Sequence, residues 1–180
     1  MDALFSRPPV LGFAAFSGTG KTTLLEALLP MFQQRNLHVA VIKHSHHDFE
    51  IDRAGKDSFR LRKAGAQQML IASSFRTVVI EEQDPPQVPR LEPLLLKLDR
   101  SKLDLILVEG FRHERFPKIE LHRRALGKPF LHRQDTSIIA LASDEPFTRT
   151  ALPQLDLNQP HQIVSFILDF IATAQTGALE

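Results

Sequence analysis

Val10-Leu11-Gly12-Phe13-Ala14-Ala15-Phe16-Ser17-Gly18-Thr19-Gly20-Lys21-Thr22 passes from an apolar run into a glycine-containing turn. After the turn, Leu24, Leu25, Leu28, Leu29 and Phe32 recur at helical spacing to about Gln34. The reading is strand, loop, helix. Residues Ala15 to Thr22 match the pattern G-x-x-x-x-G-K-[ST] at every position but the first, where alanine stands in place of glycine. In such a loop, Gly18 and Gly20 let backbone N–H groups turn inward around an anion, and the following helix adds its positive N-terminal end. Lys21 would contact the β- and γ-phosphates of a nucleotide, and Thr22 would place its hydroxyl on Mg²⁺. A first-position glycine is needed only where φ is positive, so a small residue such as Ala15 fits if φ stays negative.

Pro30 should bend or shorten the last turn of the first helix, because it cannot donate to the carbonyl of Glu26. His38 to Ile42 is a second strand candidate. The polar stretch Lys43 to Asp57 is too charged for core and too long for a hairpin turn. A short helix capped by Asp57 or Ser58 follows and stops at Gly65. Gln68 to Ala72 and Thr77 to Glu81 read as a hairpin around Ser73, Ser74 and Phe75. Four prolines between Asp84 and Pro93 mark an exposed connection, with a helix around Leu91 to Leu98.

Leu103 to Val108 is apolar except for Asp104, the pattern of a strand covered on both faces. Lys118 to His122 alternates and reads as an edge strand, Ser137 to Ala142 as a buried strand, and Ile163 to Ala174 as a closing amphipathic helix. Strands alternating with helices predict an α/β fold: a mostly parallel, doubly wound P-loop sheet with an antiparallel hairpin addition. The expected organisation is a single nucleotide-binding domain over residues 1–180, with 68–82 and 117–123 as hairpin or edge additions.

Ligands of open α/β sheets gather at the carboxyl ends of strands, so the acid that supports a metal with Thr22 should end an apolar strand. Glu109 does so. Asp104 lies at the opposite end of the same strand, roughly 16 Å away at the usual rise per residue. Lys43-His44-Ser45-His46-His47-Asp48 follows the second strand at its carboxyl end. Its spacing does not complete an ordinary zinc motif, which leaves metal binding, a polar surface loop and contact with nucleotide or substrate all open. Histidine and aspartate beside a nucleotide can orient water, which makes Asp48, with Lys21, a candidate catalytic residue. Lys56, Arg60, Arg62 and Lys63 can receive a second anion or form a solvated face. Asp144 can accept two N–H bonds from a purine edge, although no Asn-Lys-x-Asp string accompanies it.

The 180 residues carry 22 basic and 21 acidic side chains, so no global field favours nucleic acid or an anionic membrane. Cysteine is absent, which removes disulfides, thiolate metal sites and thiol nucleophiles. No apolar stretch approaches the roughly 20 residues of a membrane span, and the expected location is cytoplasmic.

The strings Phe16 to Leu25, Ile42-Lys43-His44 with His46-His47-Asp48, Gly55 to Ser58, Leu61 to Ala66 and Leu105 to Phe111 together resemble the MobB family. These are the molybdopterin-guanine dinucleotide biosynthesis proteins B, and the likeness runs from about Val10 to Asp144. It implies a weak GTPase that binds GTP with Mg²⁺, forms a homodimer, and assists a MobA-type guanylyltransferase in attaching GMP to molybdopterin. It further implies that Gly18, Thr19, Gly20, Lys21, Thr22 and Thr23 are phosphate-site positions, which Ser17 adjoins, that Glu109 and Gly110 match the strand-end motif facing them, and that a non-glycine first position is tolerated; the residues themselves make Thr22 and Glu109 the metal pair. Two other classes fit the residues alone. One is a small-molecule kinase with a lid drawn from Arg112, Arg115, Arg123 and Arg124, and the other is a metal-delivery protein using the histidine loop.

Overall fold

The computed structural model describes residues 5, 7–45, 47–147 and 150–176. The chain comprises two compact units, Met1–His44 with Arg90–Glu180 and Ser45–Pro89. In the first unit, β1 (Val10–Ala14), β2 (Val39–Lys43), β5 (Leu105–Glu109), β6 (Lys118–His122), β7 (Ile138–Ser143) and β8 (Gln154–Asp156) form one sheet in the order β2-β5-β1-β6-β7-β8. Every pairing in it is parallel. The second unit holds α2 (Asp57–Lys63) and the antiparallel pair β3 (Gln68–Ala72) and β4 (Thr77–Glu81), with Leu70 opposite Val79.

The apolar runs of β1 and β5 make sense strand by strand. Leu11, Phe13, Leu105 and Leu107 enter a core shared with α1 (Lys21–Gln33) and α4 (Pro160–Thr176), while Val10, Ile106 and Val108 enter a second core with Leu91 and Leu95 of α3 (Leu91–Leu95). A strand covered on both faces has no reason to alternate. The first helix continues past Pro30 to Gln33, and Pro30 still accepts a bond from the Gln34 N–H at 3.0 Å.

The structure corrects the edge assignment of Lys118 to His122. β6 lies between β1 and β7, inside the sheet. Its alternation arises because one face meets buried polar groups instead of water. Lys118, 1% exposed, donates to the carbonyls of Arg112 and Glu114 and pairs with Asp135 at 2.9 Å. Glu120, also 1% exposed, accepts from the N–H groups of Leu131 and His132 and meets His132 Nδ1 at 2.7 Å. Buried charge persists where partners satisfy it. Gly12 makes room for this arrangement, since a Cβ there would come within 2.5 Å of the Phe116 ring and 2.9 Å of Lys118 Cγ. β8 is a further strand that the sequence pattern does not announce.

Among the described residues no helix is long and apolar enough to cross a membrane.

Candidate functional site

The glycine loop joins β1, at the middle of the sheet, to α1. Gly18 and Gly20 have φ of 79° and 100°, a region that favours glycine, whereas Ala15 is not among the described positive-φ residues. Gly20 occupies the N-cap position of α1, and neither a capping side chain nor an acid fills the first turn. The N–H groups opening a helix have no intrahelical acceptor, so this end is free to receive an anion. Thr19 braces the loop from within: it is 2% exposed, and its hydroxyl donates to the Phe16 carbonyl at 2.8 Å. Ser17, Gly18, Thr22 and Thr23 are exposed.

Lys21 folds back over the loop, its Nζ 3.4 Å from the Ala15 carbonyl and 3.3 Å from that of Phe16. Burial lowers its pKa from the ordinary lysine value; Glu109 opposes that shift, and the charges of Lys43 and Arg112 add to it. A cation held near other cations and partly out of water gains from an arriving anion.

Glu109 ends β5, beside Phe13 of β1 and Lys43 of β2 in register. It accepts from the Thr22 hydroxyl at 3.3 Å and pairs with Lys43 Nζ at 3.4 Å. A hydroxyl and a carboxylate facing each other are hard oxygen donors of the kind Mg²⁺ takes, so the residues fit that ion. Gly110 and Phe111 both have positive φ, 105° and 50°, turning the chain sharply after Glu109. A Cβ on Gly110 would come within 2.6 Å of His44 Cβ, and the His44 ring stacks on Phe111 at 4.8 Å. Arg112 and Lys128 lie over the Phe16 ring, 5.6 and 5.9 Å from its centre.

The structure thus brings together Lys21, Thr22 and Glu109. Asp48 is exposed and belongs to the second unit, as does His47; His46 lies outside the described residues. Among the described residues no group of three or more His, Cys, Asp or Glu is arranged to hold a metal ion. Asp144 follows β7, accepts from the Arg124 N–H at 3.0 Å and lies 3.9 Å from Arg123.

The basic cluster of the second unit has an internal explanation at its centre. Arg62, with a side chain 6% exposed, is ringed by Glu50 at 2.7 Å, Asp52 at 2.5 Å and Glu82. Hydrogen bonds from Asp52 first, then Glu82 and Glu50, raise its pKa, and Arg62 holds the Asp52 carboxyl below the usual range. Arg62 is therefore committed to its own fold. Asn158 is a site neighbour that sequence reasoning did not place, while Arg123 was named there only as part of a kinase lid and Lys43 only as the start of the histidine stretch. Lys43 carried a signal, since it closes the second strand at the carboxyl end.

Residues 10–144 match the family model described as molybdopterin guanine dinucleotide synthesis protein B. The chain is 44% identical over 164 residues to the molybdopterin-guanine dinucleotide biosynthesis adapter protein of Escherichia coli (strain K12), covering 91% of this chain and 93% of that one. It is 42% identical to the protein of the same name from Haemophilus influenzae, over 91% of this chain and 89% of that one. A solved structure described as molybdopterin-guanine biosynthesis protein B superposes with a TM-score of 0.69 at 25% identity, over 91% and 99% of the two chains. Bacillus subtilis MobB shares the fold, with a TM-score of 0.71 at 22% identity over 89% and 96%. A glycine loop facing Glu109, in a chain matched over this length, identifies a member of the MobB family of molybdopterin-guanine dinucleotide biosynthesis adapter proteins.

Proposed function

We propose that the chain binds GTP with Mg²⁺ at the loop from Ser17 to Thr23 and acts as a nucleotide-dependent adapter to a MobA-type guanylyltransferase, which attaches GMP to molybdopterin. The approach of the Thr22 hydroxyl to Glu109, 3.3 Å apart at the mouth of the loop, is the observation that carries this reading. Thr22 and Glu109 would hold the metal. Bound Mg²⁺ would offset phosphate charge. The loop N–H groups and Lys21 bind and orient the phosphates, and Glu109 keeps Lys43 beside them.

Hydrolysis, where it occurs, is slow.

The adapter works in the cytoplasm as a homodimer, with molybdopterin or molybdoenzymes as further partners. The second unit supports the dimer. Among its described residues no apolar side chain is buried, while Leu70, Val79 and Phe75 are 63%, 61% and 90% exposed. A small unit without an apolar core gains most from covering such a surface.

Affinity capture from cell extract on the immobilised chain tests the adapter role. A molybdenum cofactor guanylyltransferase is expected to be retained with GTP and Mg²⁺ and released when Mg²⁺ is chelated. Retention indifferent to nucleotide, or no such enzyme captured, contradicts it.

A further inference from the structure

Sheet order divides the loop's surroundings into two sides. β1 lies between β5 and β6. Thr22 turns toward Glu109 at the end of β5, so the metal and terminal-phosphate end of a nucleotide held by the loop would lie on the β5 side. The rest of the molecule then extends over the carboxyl ends of β6, β7 and β8. Arg123 directly follows β6, Asp144 directly follows β7, and Asn158 lies just beyond β8.

These three residues converge. Arg123 Nε donates to the Thr19 carbonyl of the glycine loop at 3.0 Å, and its Nη1 donates to Asn158 Oδ1 at 3.4 Å and lies 3.9 Å from Asp144 Oδ2. Its guanidinium is also 3.8 Å from the point where a Cβ on Gly20 would stand. Two acceptors, the Thr19 carbonyl and Asn158 Oδ1, and the more distant charge of Asp144 thus hold a planar cation beside the start of α1, and 36% of the side chain stays open to solvent. A guanidinium held this way loses little further freedom when a flat ring settles on it.

We propose that Arg123 is the nucleobase platform of this site, stacking its guanidinium on the purine of the nucleotide held by the glycine loop, with Asp144 and Asn158 as positioning residues that set its plane. In this proposal Asp144 acts through Arg123, while its Oδ1 also accepts from the Arg124 N–H. The inference rests on the loop being a phosphate site.

Calorimetric titration of the full chain with Mg²⁺-GTP and with Mg²⁺-tripolyphosphate, which has phosphates but no base, tests it. Arg123→Ala is expected to weaken GTP binding by about two- to thirtyfold, the span of cation–π energies, and Arg123→Lys to weaken it by a smaller factor. Tripolyphosphate binding should be unchanged. The lysine variant keeps the charge and loses the plane, so full GTP affinity in it overturns stacking, as does equal weakening of both ligands, which would make Arg123 a phosphate or loop residue. Asp144→Ala should weaken GTP binding in the wild-type background and add nothing in Arg123→Ala; an undiminished second loss would assign Asp144 to the base directly and overturn its role here. Loss of tripolyphosphate binding in wild type would defeat the loop reading itself, and the proposal with it.

Discussion

Lys21→Ala is expected to weaken binding of Mg²⁺-GTP by about a hundredfold to a thousandfold, the effect of removing one partner of a partly desolvated charge pair. The unliganded fold should hardly notice. The Nζ contacts to the Ala15 and Phe16 carbonyls are long, at 3.4 and 3.3 Å, and burial already disfavours the ammonium. Removing it relieves some of that cost, so the melting temperature without ligand should change little while the rise on adding GTP disappears. Calorimetry and a thermal melt on the same sample separate the two effects. Unchanged GTP affinity in a folded Lys21→Ala protein would contradict the assignment.

Glu109→Gln acts on the metal in place of the phosphates. The amide keeps the size of the carboxylate and an oxygen that can accept from Thr22, so the loss is confined to negative charge and the pair with Lys43. With Mg²⁺ present, GTP affinity should fall about tenfold or more, as expected when a cation loses a charged oxygen donor. Without Mg²⁺, affinity should hold or rise, since a carboxylate near the triphosphate repels it. The variant is therefore expected to lose most of its response to Mg²⁺. An Mg²⁺ response equal to wild type, measured by titration with and without chelator, would remove Glu109 from the metal site.

The parts of this site that were legible in the sequence are those written in local pattern. Gly18 and Gly20 mark positive φ, Lys21 and Thr22 follow at fixed spacing, and Glu109 closes an apolar strand whose neighbours on both faces explain its composition. The hairpin of β3 and β4 was readable from its turn and alternation. What failed was inference from alternation alone. Lys118 and Glu120 suggested a wet edge, but their partners, Asp135 and His132, arrive from a later loop and make an interior strand polar on one side. No local pattern announces such pairing. Arg123 was readable only as a candidate lid arginine, because its contacts to Thr19 and Asn158 span long stretches of chain. The short β8, which positions Asn158, has only three residues with which to show a period.

The adapter reading and the role of Arg123 both depend on one property of the loop between β1 and α1. Isothermal titration of the wild-type chain with GTP, in Mg²⁺ and again in chelator, measures it directly. Saturable binding of one GTP per chain, clearly tighter with Mg²⁺ present, is expected. Absence of saturable binding at millimolar GTP, or binding with identical affinity under both conditions, would contradict it.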